Sequence, residues 1–106
     1  MASVAERATV SFVIDVAVDD AARKETIFEQ ELQQGQQLAR SGKLRRIWRV
    51  PGRWANWSLY EVPDATALHE ALISLPLYPW MSISAHPLAV HPNDPRELGI
   101  IAERGQ

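Results

Sequence analysis

Hydrophobic positions along this chain change period several times, and each change marks an element. Ala8 to Val18, "ATVSFVIDVAV", is valine-rich and bounded by polar residues, which predicts a strand. "DDAARKETIFEQELQQGQQLARSG" then takes up the helical period, with Asp19 or Asp20 placed to cap its start and Gly42 to end it. One long helix is expected there. "KLRRIWRV" predicts a second strand, and Pro51 with Gly52 a turn. "GRWANWSLYEV", Gly52 to Val62, alternates again and predicts a third strand, antiparallel to the second. "PDATALHEALISL" predicts a short helix, capped by Asp64, with Leu68, Leu72 and Leu75 on one side. Pro76 breaks it. "WMSISAHPLAV" predicts a fourth strand, with Pro87 marking an edge or a bulge. Beyond His91 the chain turns polar, and residues 93–106 read as a tail or arm.

The order β-α-β-β-α-β, with right-handed crossovers and both helices on one face, predicts an α+β ferredoxin-like sandwich with an antiparallel sheet. The expectation is a single domain over residues 1–106, with its core at about 8–92. The third strand raises a question. One of its faces carries Ala55, Trp57 and Leu59 and suits a core. The other carries Trp54, Asn56, Ser58 and Tyr60, an amide and a hydroxyl set between large rings. A sheet with helices on one side and this much apolar surface on the other is expected to dimerise through that sheet.

Composition narrows the chemistry. There is no cysteine, which removes disulfides, thiolate metal sites and thiol nucleophiles and is in keeping with a cytoplasmic location. "MASVAERATV" lacks the apolar stretch of a signal peptide, and no apolar run nears the roughly 20 residues that cross a bilayer. Eleven basic against 13 acidic residues give a net charge of -2, so electrostatics supply no case for a nucleic-acid or membrane partner. The basic cluster Lys43, Arg45, Arg46, Arg49 and Arg53 is split between two strand faces and carries no RNA-binding signature.

The sharpest local signal is an acid on the wrong face of the long helix. Advancing about 100° per residue from Ile27, the apolar positions Leu38, Phe28, Ala39 and Leu32 fill an arc from about 0° to about 140°. Glu31 falls at about 40°, inside it, whereas Glu25, Glu29, Gln33 and Gln36 fall outside. A carboxylate on a core-facing stripe is costly unless it is paired or protonated. Two readings follow. Glu31 is the acid of a structural salt bridge, with Lys24 or Arg49 as partner, or it is a general base whose pKa burial has raised toward neutrality. His69 borders the apolar stripe of the short helix and is either a packed, hydrogen-bonded histidine or a ligand-binding one. His86 and His91 lack metal-ligand spacing, so no metal site is expected. The serines lack a nucleophile-elbow context and the five glycines form no phosphate loop.

Together these stretches resemble one family, the muconolactone delta-isomerases. "SGKLRRIWRVPGRWANWSLYEV" is similar to that family's Leu-Trp-Arg-Ile strand followed by its Tyr-Ala-Asn-Tyr-Ser strand. "ALHEALISLPLYPWMSI" resembles its Ala-Leu-His helix and Leu-Pro-Leu-Phe-Pro-Tyr-Met segment, and His91-Pro92 fits its closing dipeptide. The resemblance runs from about Thr9 to Pro92. It implies a ferredoxin-like protomer that dimerises through its sheet and assembles into a larger ring, a decamer in the family. It implies no cofactor, and a small-molecule lactone or enone substrate whose carbon–carbon double bond is moved by proton transfer. The family's helix glutamate maps to Glu31 and its strand asparagine to Asn56. Trp54, Asn56 and Ser58 would then line the substrate, and Arg49 would either pair with the substrate's carboxylate or hold Glu31.

Several positions depart from the family pattern. Trp54 stands where the family has a pocket tyrosine, and an indole offers one N–H donor in place of a hydroxyl. Leu44 replaces a tryptophan, and Ser82 and Ser84 replace acids. Two alternatives therefore remain open: a related lactone dehalogenase or a biosynthetic isomerase or cyclase on a bulkier substrate, and a non-catalytic, oligomeric ligand-binding protein. Glu31 separates them. An enzyme needs it unpaired and facing a cavity, whereas a binding protein can lock it to Arg49 or Lys24.

Overall fold

The computed structural model describes residues 9–100. Strand β1 (Val10–Val18) leads through a 3-10 helix (Asp20–Lys24) into helix α1 (Phe28–Arg40). Strands β2 (Leu44–Arg49) and β3 (Ala55–Val62) follow, then helix α2 (Ala65–Ile73), a 3-10 turn (Tyr78–Trp80) and strand β4 (Met81–Leu88). The four strands form one antiparallel sheet in the order β2-β3-β1-β4, which is the ferredoxin-like arrangement. Ala8 and residues 101–106 of the expected tail lie outside the described residues.

The expected long helix is two pieces. Asp19 caps only the 3-10 segment, its carboxylate accepting from the Ala21 N–H at 2.7 Å. Glu25 then turns extended, and α1 starts afresh after Ile27. Thr26 and Ile27 are β-branched and poor at continuing a helix, which suits a break there. α2 begins as expected at Asp64, whose carboxylate accepts from the Ala67 N–H at 2.8 Å. Gly42 and Gly52 both take positive φ (85° and 77°), closing the α1–β2 connection and the β2–β3 turn. Pro87 falls on β4, an edge strand, where its missing N–H costs no ladder bond on the open side.

The core lies between the helices and one face of the sheet. Phe12, Ile14 and Val16 of β1, Tyr60 and Val62 of β3 and Leu44 of β2 meet Leu38 of α1 and Leu68, Ala71, Leu72 and Leu75 from α2 and its C-terminal flank. This corrects the expected facing of β3. Ala55, Trp57 and Leu59 point away from the helices, and Trp57 is 51% exposed. The Trp54–Tyr60 face is the covered one. The register explains the outcome: Asn56, Ser58 and Tyr60 stand opposite Val16, Ile14 and Phe12, the most apolar side of β1, while Trp57 stands opposite Asp15. α1 also turns differently from the expected arc. Its covered strip is centred on Leu38, and Phe28 and Leu32 on the far side of the arc are exposed.

Candidate active site

Three rows cross the inner face of the sheet. Leu44, Tyr60, Phe12 and Pro87 form one; Ile47, Ser58, Ile14 and Ala85 the next; Arg49, Asn56, Val16 and Ile83 the third. The first row is dry from Leu44 through Phe12, with Tyr60 only 4% exposed, and opens only at Pro87 on the β4 edge. The third opens to solvent: Asn56 is half-buried and Arg49 exposed. Past Leu44, every residue of β2 is exposed, so the helices leave this corner of the sheet uncovered.

Glu31 hangs over this corner from the first turn of α1. Phe28, one turn earlier, sits beside Trp54, with ring centroids 5.7 Å apart. Trp54 immediately precedes β3, two residues before Asn56, and its carbonyl accepts from the Val18 N–H at 3.0 Å. At the other side of the corner, Glu31 acts electrostatically on Tyr60. The carboxylate is therefore near Tyr60, and Phe28 of the same helix meets Trp54 at the start of β3. Glu31 Oε1 accepts from the Leu77 N–H at 2.8 Å. Leu77 is buried in the turn after α2, which fixes that donor.

The electrostatics fit a reactive carboxyl. Burial pushes the Glu31 carboxyl up from its ordinary value, and the Leu77 N–H opposes part of that rise. Burial together with the Glu31 charge pushes the Tyr60 hydroxyl up to about 12, so it stays protonated. Among the described residues the ion pairs are Arg23–Asp20 and Arg45–Glu61. Glu31 is in neither. The salt-bridge reading fails for both expected partners: Lys24 is carried away on the separate 3-10 helix, and Arg49 stays exposed on the sheet edge.

The sequence-predicted residues divide accordingly. Trp54, Asn56 and Ser58 share the inner face of β3, with Ser58 buried, and Glu31 acts on Tyr60 of the same face. Arg49 stands in register with Asn56 at the rim. His69 does not join them through any contact described. It is exposed on α2, flanked by the buried Leu68, Ala71 and Leu72, and none of the hydrogen bonds described links it to Glu31 or Asn56. The packed-histidine reading fails with it. Leu77 was missed, because a backbone donor leaves no mark on the identity of its residue. Tyr60 was seen only as a strand residue, although its place on the Asn56 face was the available signal. A separate groove of about 450 Å³ lies at the end of β1 and β4, lined by residues that include Ala17, Asp19, Trp80 and Ser82. Glu31 and Asn56 are not among its walls. The space beside them is the open, uncovered corner.

With this geometry in place, the comparisons are informative. The family model described as muconolactone delta-isomerase matches residues 8–94. The chain belongs to the muconolactone delta-isomerase family. The matched segment takes in all four strands, both helices and every site residue named above. A relative from Pseudomonas aeruginosa named muconolactone delta-isomerase is 36% identical, over 80% of this chain and 95% of its own length. One of the same name from Rhodococcus opacus is 44% identical, over 76% of this chain and 90% of its own. A crystal structure of muconolactone isomerase superimposes with a TM-score of 0.70 at 35% identity, covering 79% of this chain and 93% of that one. The fold and the family thus agree.

Proposed function

We propose that this chain is a muconolactone delta-isomerase acting in aromatic-compound degradation, a cofactor-independent enzyme with Glu31 as its base. The Glu31 carboxylate removes the proton from the ring carbon that bears the acid arm. The electron pair delocalises through the ring double bond to the lactone carbonyl oxygen. Asn56 donates to that oxygen as its charge grows. The carboxylic acid formed on Glu31 returns the proton at the ring carbon beside the carbonyl, and the double bond has moved. Oε1 is held by Leu77, which leaves Oε2 to carry the proton. Trp54 and Ser58 shape the floor. Arg49, exposed at the rim, adds positive charge that draws an acidic substrate toward the site.

The observation that carries this reading is Glu31 itself: half-buried, outside any ion pair described, held by the Leu77 N–H and close enough to Tyr60 to act on its hydroxyl. A partly desolvated carboxylate with a raised pKa is a stronger base near neutral pH than an exposed one. A protein that merely bound a ligand would have no use for that cost. The test is deuterium exchange from D2O into muconolactone and its enol-lactone. Wild type is expected to exchange and isomerise, and Glu31→Gln to do neither while folded. If wild type turns over neither lactone, the dehalogenase or cyclase reading, which begins with the same deprotonation, takes precedence.

The proposal extends to assembly and location. One domain spans residues 1–106, in the cytoplasm. Two copies pair through the outer sheet face, where Trp48 and Trp57 are 47% and 51% exposed, as the unit of a larger ring up to a decamer. Sedimentation at micromolar concentration is the check. A species at the monomer mass of 11.9 kDa would overturn the pairing.

A further inference from the structure

We propose that Arg23, on the 3-10 helix before α1, is the residue that grips the substrate's carboxylate and so selects acid-bearing lactones. This rests on the reading of the site as one for a lactone that carries an acid arm. Three arginines lie at this end of the sheet: Arg23, Arg49 and, in the β2–β3 turn, Arg53, whose side chain is exposed. Arg49 is exposed on β2 and makes none of the hydrogen bonds or ion pairs described. Arg23 is placed quite differently. Its guanidinium carbon lies 4.5 Å from the centroid of the Trp54 ring. Its Nε donates to Asp20 Oδ1 at 3.2 Å. The stacking on Trp54 orients the guanidinium, and the Asp20 contact occupies only one of its nitrogens. The two terminal nitrogens donate in none of the hydrogen bonds described, and they form the pair of parallel donors that matches a carboxylate.

The position fits the task. Trp54 touches Phe28, and Phe28 lies one helical turn before Glu31. Arg23 is therefore linked to the helix of the base through Trp54 and Phe28, one turn before Glu31. A guanidinium already stacked and oriented loses less freedom on binding than a loose one such as Arg49's. The Asp20 partner does not cancel the charge: both side chains are largely exposed (65% and 83%), where such a pair is weak and screened. The break at Glu25–Ile27 gains a purpose here. A continuous helix would have carried Arg23 along the α1 axis, whereas the 3-10 turn lays it over Trp54.

The experiment measures binding, so it does not depend on turnover. Muconolactone and its methyl ester are titrated by calorimetry into the Glu31→Gln protein, with Arg23 intact and with Arg23→Gln or Arg23→Lys added. Loss of a charge-assisted pair predicts a Kd for the acid raised about 10- to 100-fold in Arg23→Gln, with an intermediate rise in Arg23→Lys. The Kd for the ester is expected to stay the same. Three results would overturn the proposal: an unchanged Kd for the acid, equal weakening of acid and ester through a disturbed Trp54, or no binding of either ligand with Arg23 intact. Proton transfer is read separately by deuterium exchange in wild type, so a failure of Glu31 as base and a failure of Arg23 as grip are told apart.

Discussion

The two ends of the inner sheet face are built from the same strands and do opposite things. At one end Tyr60, Phe12 and Leu44 lie under Leu68 and Leu72, and every ring and methyl is packed away from water. At the other, two rows along, Asn56 is half-buried and Arg49 exposed, and the half-buried Glu31 carboxyl stands on the helix above the sheet without a counter-ion among the described residues. The packed end supplies the stability that the open end spends. Burying a carboxyl without a counter-ion is unfavourable, and a chain tolerates it only when the neighbouring rows are apolar enough to hold the helix above it in place.

Substitutions at the two ends should therefore fail in different ways. The largest effect is expected for Glu31→Gln, with kcat lowered about 10²- to 10⁴-fold, the usual worth of a positioned base, and no loss of fold. A variant that kept wild-type kcat would remove the open end from the comparison. Next comes Ile14→Ala at the packed end. Ile14 is fully buried, and emptying such a site costs about 2–5 kcal/mol of stability. Chemical denaturation reads that loss, and folded Ile14→Ala should still turn over. The smallest effect joins the two ends. The Glu31 carboxyl has a folded pKa above its unfolded value of 4.5, so folding favours its protonated form. Its stabilising contribution is complete below that unfolded value and disappears as pH rises through the folded pKa. Glu31→Gln is thus expected to melt higher than wild type at neutral pH and to lose that advantage in acid. An equal difference at both pH values would mean that ionisation of Glu31 is not the cause.

Much of this was legible in the sequence. Strand order, both crossovers and the Asp64 cap followed from periodicity and punctuation, because those signals are local. Glu31 was legible because an acid among apolar helix positions is costly enough to need a reason. Asn56 and Ser58 were legible because two polar residues interrupted a strand of rings. The facing of β3 was not, since β3 carries rings on both sides and its facing depends on the register with β1, whose apolar side lies opposite Asn56, Ser58 and Tyr60. The break at Thr26–Ile27 was also hidden: propensity differences there are fractions of a kcal/mol, roughly the size that tertiary contacts override. With the break hidden, Lys24 was placed on the wrong helix and the contact of Arg23 with Trp54 had no sequence counterpart. His69 shows the opposite error, a residue judged by its neighbours on a short helix whose stripe did not include it.

The exposed stretch of β2 has a consequence for how copies of the chain meet. β2 is an edge strand, and an open edge carries unpaired backbone groups that invite another strand to add to it. Three of its six residues are arginines: Arg45, Arg46 and Arg49. Two such edges approaching one another bring like charges together before any backbone bond can form. That repulsion discourages endless sheet extension, and with it fibre-like precipitation, and it fades as salt screens the charges. Concentrated salt should accordingly make this enzyme more prone to edge-on association, whereas dilute buffer leaves the outer face around Trp48 and Trp57 as the easier way for copies to join.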